Sequence, residues 1–117
     1  MHSALIVARM KPSSEHDLVR LFQQFDDTEM PDLMGTRRRQ LFSFHGLYFH
    51  LQDFDTDTGG TAIEGAKTHP LFVQISNDLK PHIEAYDPPT WRSPADAMAR
   101  RFYHWSASSS LSSAQGV

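Results

Sequence analysis

The chain has 117 residues, a formal net charge of −3 and no cysteine. Its length predicts a single domain, and the lack of cysteine excludes disulfides, thiolate nucleophiles and cysteine-ligated zinc or iron–sulfur sites. The mildly acidic balance argues against a nucleic-acid partner, whose binding surface would be basic, and no apolar run is long enough to span a membrane. We therefore expect a cytoplasmic domain whose chemistry depends on histidine, acidic residues, arginine or tyrosine.

The first third of the chain predicts a strand and a helix. Ser3–Met10 is a short run rich in aliphatic residues, which is typical of a strand. Between Glu15 and about Gln24 the apolar residues recur at helical spacing, with polar residues between them. The polar segment Asp26–Gly35 follows and is interrupted by Pro31, so the sequence predicts an irregular connection there.

A β-hairpin comes next. Arg37–Phe44 and Leu47–Phe54 both alternate, and only His45-Gly46 separates them, which is the spacing of a tight two-residue turn. This turn pairs Phe42 with Phe49, and alternation then divides the side chains between two faces. The apolar face carries Phe42, Phe44, Leu47, Phe49 and Leu51. The mixed face carries Arg39, Leu41, Ser43, Tyr48, His50 and Gln52. We expect the helices to cover the apolar face.

Two helical stretches and a last strand are predicted after the hairpin. Thr61–Lys67 and Pro70–Ile83 are the helical stretches, and the aromatic-rich Ala99–Ser106 is the strand. We expect one domain over residues 1–107 and a disordered C-terminal tail over 108–117. The order of elements predicts an α+β fold of the ferredoxin-like, split βαβ type, with a four-stranded antiparallel sheet and helices on one face.

The mixed face of the hairpin carries the candidate functional groups. His50 lies opposite Leu41 and diagonal to Arg39, so the imidazole and the guanidinium are within reach of each other, and Tyr48 shares their face. A histidine with an unperturbed pKa of about 6.5 suits proton transfer near neutral pH, and an arginine suits the stabilisation of an oxyanion. If no helix covers this face, it lines a pocket, meets a partner subunit or faces solvent.

Four segments of the sequence resemble a known family. They are D-D-T-E-M-P (Asp26–Pro31), G-T-R-R-R-Q-L-F-S-F-H-G-L-Y-F-H-L (Gly35–Leu51), T-H-P-L-F (Thr68–Phe72) and F-Y-H-W (Phe102–Trp105). Together they are similar to the small aromatic polyketide cyclases of the tetracenomycin cyclase type, from about Ala4 to Ala107. The second segment is the most specific of the four.

The resemblance implies a ferredoxin-like homodimer, assembled as an α+β barrel, that acts in bacterial type II polyketide synthesis without a cofactor or a metal. The implied reaction is a regiospecific intramolecular aldol condensation and dehydration of a poly-β-ketone, with transient contact to components of the synthase. The family's proposed catalytic residues map onto Asp26, Arg39 and His50 of this sequence. Phe25 stands where the family has a histidine, which removes a His–Asp pair and suggests an apolar wall.

The predicted substrate contacts are Tyr48, Phe25, Leu41, Ser43 and Trp105. Tyr48 and Trp105 are expected to be aromatic walls for a flat polycyclic product. Asp26, at the end of the first helix, is expected to orient a water, a substrate hydroxyl or His50 and to assist dehydration.

Two other functions fit the same residues. A cofactor-independent monooxygenase acting on an aromatic polyketide could use the same base and cation, because its substrate reacts with oxygen as an enolate. A non-catalytic polyketide-binding chaperone would depend on pocket volume more than on Arg39 and His50. Oxygen consumption and the ratio of products distinguish both alternatives from a cyclase.

Overall fold

The computed structural model describes residues 2–55, 63, 65–91 and 94–107, and the predicted tail 108–117 lies outside them. The described strands and helices are, in chain order, β1 (His2–Met10), α1 (Glu15–Asp26), α2 (Met30–Met34), β2 (Thr36–Phe44), β3 (Leu47–Phe54), α3 (Pro70–Leu79) and β4 (Ile83–Glu84). The predicted helix Thr61–Lys67 is described only in part, and Ile63, Gly65 and Ala66 within it are helical. Among the described residues, no helix is long and apolar enough to cross a lipid bilayer.

The strands form one antiparallel sheet in the order β2-β3-β1-β4. β1 is central and pairs with β3 along most of its length, whereas β4 pairs with it only at Arg9 and Met10. α1 and α3 contact each other, and their buried side chains share one core cluster with the sheet. This arrangement confirms the predicted ferredoxin-like fold.

The hairpin turn forms as predicted. Both of its residues have positive φ, 49° at His45 and 79° at Gly46, as a two-residue turn that matches the strand twist requires. The register is also confirmed, since Phe42 lies opposite Phe49 and Leu41 opposite His50. The two faces of the hairpin therefore have the predicted composition.

The prediction of which face the helices cover is wrong. The buried side of β3 carries Tyr48, His50 and Gln52, whereas Phe42 and Phe44 of the apolar face are 50% and 63% exposed. Alternation separates two faces but does not say which is covered, because that depends on the strand beside the hairpin and on the helices. Here the small side chains of Ala4 and Ala8 in β1 lie on the covered face and leave space for the aromatic side chains of α1.

A short helix, α2, lies in the segment that was expected to be irregular. Met30 and Met34, about one turn apart, are buried in it. Pro31 lies in the first turn, where its missing N–H removes no helical hydrogen bond. Gly35 ends the helix with a φ of 72°. The proline thus marks the start of a helix instead of an interruption.

The fourth strand is Ile83–Glu84, and the prediction of a last strand at Ala99–Ser106 is wrong. Among the described residues, the C-terminal segment forms one β-bridge with the sheet, between Met98 and Ile6. Beyond that bridge the chain leaves the sheet, and Phe102 is 86% exposed. Aromatic content is typical of strands, but it does not determine whether a segment pairs with a sheet edge. Among the described residues, this edge of β1 is paired only at Ile6, Arg9 and Met10.

Candidate active site

A cavity of about 390 Å³ lies between the covered face of the sheet and helices α1 and α3. Its walls are mainly apolar and include Ile6, Phe22, Phe25, Phe72, Ile75 and Trp91. The sheet contributes a polar wall made of Arg39, Tyr48, His50 and Gln52. A largely apolar cavity with a few converging polar groups is the usual form of a small-molecule site.

Arg39 is the centre of the polar wall, and only 8% of its side chain is exposed. Nε donates to both carboxylate oxygens of Asp26 at 3.1 and 3.0 Å, and Nη2 donates to one of them at 2.8 Å. Nη1 donates to Nε2 of His50 at 2.8 Å and to Oε1 of Gln52 at 3.1 Å. Because a guanidinium has about five N–H donors in all, these bonds leave one hydrogen of Nη2 for a ligand.

Two aromatic rings of α1 enclose this guanidinium. Its central carbon lies 5.0 Å from the ring centroid of Phe22 and 5.5 Å from that of Phe25. Both rings are buried, so they shield the cation from water and interact with it through their π faces. Phe25 therefore lies beside Arg39 as an apolar part of the cavity wall.

Arg39 holds His50 in one tautomer. Because guanidinium nitrogens only donate, Nε2 of His50 accepts the hydrogen bond from Arg39, and the ring hydrogen lies on Nδ1. Nδ1 is 3.0 Å from the hydroxyl oxygen of Tyr48, which accepts this hydrogen. Burial, together with the positive charge of Arg39, lowers the pKa of His50 to about 3.

This environment contradicts the expectation that His50 titrates near neutral pH. That expectation used the pKa of an exposed histidine, whereas burial and a neighbouring cation both disfavour the imidazolium form. The imidazole is neutral at neutral pH, and Arg39 occupies the lone pair of Nε2. His50 is therefore suited to orienting Arg39 and Tyr48, and not to removing a proton from a ligand.

Asp26 lies behind Arg39 as seen from the main cavity. It is the last residue of α1, and 38% of its side chain is exposed. It is not part of the lining of the main cavity and instead borders a shallow depression together with Gln23 and Asp27. Its two-point contact sets the plane of the guanidinium, which makes Asp26 a positioning residue for Arg39.

The other predicted contacts are divided among three spaces. Tyr48 and Phe25 line the main cavity. Leu41 and Ser43 line a separate space of about 150 Å³ beside Tyr48, and Leu41 also borders the depression beside Asp26. The hydroxyl of Ser43 donates to the carboxylate of Glu15. Leu41 and Ser43 thus share a strand face with His50 but do not reach the main cavity.

Trp105 does not form the predicted aromatic wall. Its side chain is exposed and lines neither the main cavity nor the two other spaces, whereas Trp91 lines the main cavity. Gln52, Ser76 and Lys80 are cavity residues that no sequence motif marks. Alternation along β3 is the one signal available for Gln52, because it places this residue on the face of His50.

The arrangement can stabilise negative charge on an oxygen atom. Arg39 retains one N–H for a ligand, and burial raises the pKa of Tyr48, so that its hydroxyl stays protonated at neutral pH. Both groups lie in a wall from which water is largely excluded, where such donors act strongly. Within the described part of the chain, no three histidine, aspartate or glutamate side chains are placed to hold a metal ion.

Comparison with known proteins identifies the family. A family profile described as polyketide synthesis cyclase matches residues 2–106. The chain belongs to this family. The match extends over nearly the whole described fold and includes every residue of the polar wall.

Two individual proteins are similar to this chain over nearly their whole length. Tetracenomycin F2 cyclase of Streptomyces glaucescens is 36% identical over 106 residues, which are 91% of this chain and 95% of that protein. Its solved structure, described as that of a type-II polyketide cyclase, has a TM-score of 0.83 with 35% identity and covers 92% of this chain and 100% of that chain. Polyketide synthase CurG of Streptomyces cyaneus is 44% identical over 105 residues, 90% of this chain and 97% of that protein. These similarities confirm the family that the sequence motifs indicated.

Proposed function

We propose that this protein is a cofactor-free cyclase that closes a ring in a poly-β-ketone by intramolecular aldol condensation and dehydration, in type II polyketide synthesis. The observation that carries the proposal is the apolar cavity with Arg39, Tyr48 and His50 in one wall. Such a cavity can hold a flat carbon skeleton, while the polar wall binds its oxygen atoms. The similarity to tetracenomycin F2 cyclase supports the class of substrate.

The reaction needs orientation and charge stabilisation more than a strong base. The methylenes of a poly-β-ketone lie between carbonyl groups and are partly enolised, so a nucleophilic carbon is already present. Ring closure forms a C–C bond and converts the attacked carbonyl into a hydroxyl, and dehydration then releases water. Holding the reacting carbons together lowers the barrier by several kcal/mol, and about 1.4 kcal/mol between competing transition states gives roughly tenfold selectivity.

Arg39 is proposed to stabilise the enolate form of the substrate by binding its charged oxygen. Asp26 and the aromatic rings of α1 hold the guanidinium in place before the substrate arrives, so little reorganisation is needed during the reaction. His50 contacts the substrate from the same wall and keeps the guanidinium in position through Nε2. This division of roles does not require His50 to change its charge.

Anaerobic incubation of the protein with candidate linear and partly cyclised polyketides tests the proposal. A cyclase is expected to give one regioisomer with loss of water and no uptake of oxygen, and mass spectrometry and NMR identify the product. Oxygen-dependent formation of a quinone would instead indicate a monooxygenase. A product ratio that survives replacement of both Arg39 and His50 would indicate a binding chaperone.

We further propose that the protein forms a homodimer through the uncovered face of the sheet. Apolar side chains of three strands share this face, namely Leu5, Val7, Phe42, Phe44, Leu47, Phe49 and Leu51. Phe42 and Phe44 are the most exposed of them. A contiguous apolar surface of this kind is typical of a protein–protein contact, and two sheets packed face to face would form a barrel-like assembly.

The double variant Phe42→Lys/Phe44→Lys is expected to be monomeric at concentrations at which the wild type is dimeric. Two charges buried in an apolar interface without partners oppose association. Light scattering after gel filtration measures the mass, and circular dichroism shows whether the fold is retained. Leu33→Lys is the matched control, because Leu33 is an exposed apolar residue of α2, outside the sheet face. A dimeric double variant would contradict the proposed interface.

A further inference from the structure

The hydroxyl of Tyr48 is a polar group in a buried part of the cavity wall. The residue is buried, and its oxygen lies 3.0 Å from Nδ1 of His50. Both side chains line the main cavity. Packing accounts for the ring of Tyr48, but it does not account for a hydroxyl placed beside a neutral imidazole at the edge of a cavity.

The direction of the hydrogen bonds along this wall follows from Arg39. Its Nη1 lies 2.8 Å from Nε2 of His50, and a hydrogen on Nε2 would place two donors against each other. Nε2 is therefore the acceptor, Nδ1 carries the hydrogen, and the oxygen of Tyr48 accepts it. The hydroxyl hydrogen of Tyr48 consequently points away from His50 and is available to a ligand.

We propose that the Tyr48 hydroxyl is the catalytic hydrogen-bond and proton donor to the substrate carbonyl that becomes an alkoxide during ring closure. The inference rests on the proposed cyclase function. Arg39 and His50 set the direction of this donor, because they hold the tautomer that turns the hydrogen of Tyr48 away from the imidazole. The remaining Nη2 hydrogen of Arg39 is a second donor in the same wall, on the other side of the imidazole, where it can bind the enol or enolate oxygen of the substrate.

The proton balance closes without a further reactant. As the enol carbon bonds to the carbonyl carbon, the carbonyl oxygen takes the electron pair of its π bond and receives the proton of Tyr48. The enol oxygen becomes a carbonyl oxygen and releases its proton, which returns to the phenolate of Tyr48. The product has gained a C–C bond and a hydroxyl, and Tyr48 has its starting form again. His50 stays neutral and stabilises the transient phenolate by donating from Nδ1.

The test must separate the hydroxyl of Tyr48 from its ring. The ring belongs to a buried cluster with Ala8, Met10 and Leu18, and Tyr48→Phe keeps the ring while removing the donor. Tyr86→Phe is the matched control, because it makes the same change at an exposed tyrosine that does not line the cavity.

Two probes measure the donor directly. The first is a nitronaphthol that is ionised in mildly alkaline buffer, and the second is its methyl ether, which has the same rings but carries no negative charge. Tyr48→Phe is expected to weaken binding of the naphtholate by about tenfold or more and to leave the affinity for the ether unchanged. Tyr86→Phe is expected to change neither. Equal losses for both probes, or no loss for either, would overturn the inference.

Nitrogen NMR of the ¹⁵N-labelled protein shows which ring nitrogen of His50 carries the hydrogen. A purely structural role of Tyr48 in packing would not determine this position. The hydrogen of His50 is expected on Nδ1, with Nε2 as an acceptor, throughout the neutral range. In Arg39→Met the preference for this tautomer is expected to disappear, because the donor that imposes it is gone. A hydrogen on Nε2 in the wild type would overturn the inference.

Turnover distinguishes failure of this inference from failure of the proposed function. If the wild type cyclises a polyketide, Tyr48→Phe is expected to do so about 10²-fold more slowly. If Tyr48→Phe instead reacts at the rate of the wild type, the inference fails and the cyclase function stands. If the wild type cyclises none of the candidate polyketides, the proposed function fails, and proton donation in ring closure fails with it.

Discussion

An Arg39→Met variant is expected to form the cyclised product about 10²- to 10³-fold more slowly than the wild type, because it loses the donor that stabilises the charged enolate oxygen of the substrate. The change also releases His50, and with it the direction of the Tyr48 hydroxyl. Methionine keeps much of the stem that packs beneath the aromatic rings of α1, which limits the loss of stability. Arg39→Lys is expected to restore little activity, since an ammonium cannot replace a planar fork that binds three side chains at once.

Arg37→Met is the matched control for this prediction. Arg37 lies on the same strand, and its bond to Asp55 is between exposed side chains. Asp26→Asn completes a double-mutant cycle with Arg39→Met. If Asp26 acts by positioning Arg39, Asp26→Asn slows the wild type but has no effect once Arg39 is replaced. Wild-type rates in Arg39→Met, or an equal loss in Arg37→Met, would contradict the role assigned to Arg39.

The free energy of unfolding is expected to fall as the pH drops below about 6.5, the pKa of an unperturbed histidine. His50 has a pKa of about 3 in the folded protein, so the unfolded chain binds a proton that the folded chain does not. The contribution of His50 to the free energy of unfolding is complete above the pKa of the unfolded chain. It is lost at about 1.4 kcal/mol per pH unit as the pH falls toward the pKa of the folded protein. From about pH 7 to pH 4, His50 alone should account for about 3 kcal/mol.

Urea unfolding of the wild type and of His50→Gln over this pH range measures the effect. The free energy of unfolding is plotted against pH for each protein. The difference between the two slopes gives the contribution of His50, because the other titrating groups are common to both proteins. His16→Gln is the control, because it makes the same change at an exposed histidine of α1. Identical slopes for the wild type and His50→Gln would show that His50 is not held neutral, and the hydrogen-bond chain from Arg39 to Tyr48 would then be wrong.

Local sequence patterns are sufficient for β1, α1 and the hairpin, because periodicity and turn chemistry agree there. The two-residue turn at His45-Gly46 determines the register, and the register alone places Arg39 diagonal to His50. The same patterns fail at α2 and at residues 99–106. Pro31 can interrupt a segment or begin a helix, and the aromatic residues of the C-terminal segment do not reveal whether the segment pairs with a sheet edge.

The candidate site was predictable only in part, because its geometry depends on how separate elements pack against each other. Motif resemblance selects Asp26, Arg39 and His50, and the structure brings these three together. The structure also places Asp26 on the far side of the guanidinium from the cavity and Trp105 outside the cavity. Which side of Arg39 faces the cavity depends on how α1 crosses the sheet, and no pattern within a single element contains that information.

Motifs and alternation in the sequence are sufficient to predict the family and to place Arg39, Tyr48 and His50 on one face of the sheet. Whether the helices cover this face depends on the tertiary packing, and the chemistry of the three side chains depends on that covering. Alternation is a property of neighbouring residues, whereas the pKa of a histidine depends on solvent and on charges brought from distant parts of the chain. An exposed His50 would be a base near neutral pH, but beneath α1 and beside Arg39 it is neutral, and its Nδ1 hydrogen bond sets the direction of the Tyr48 hydroxyl.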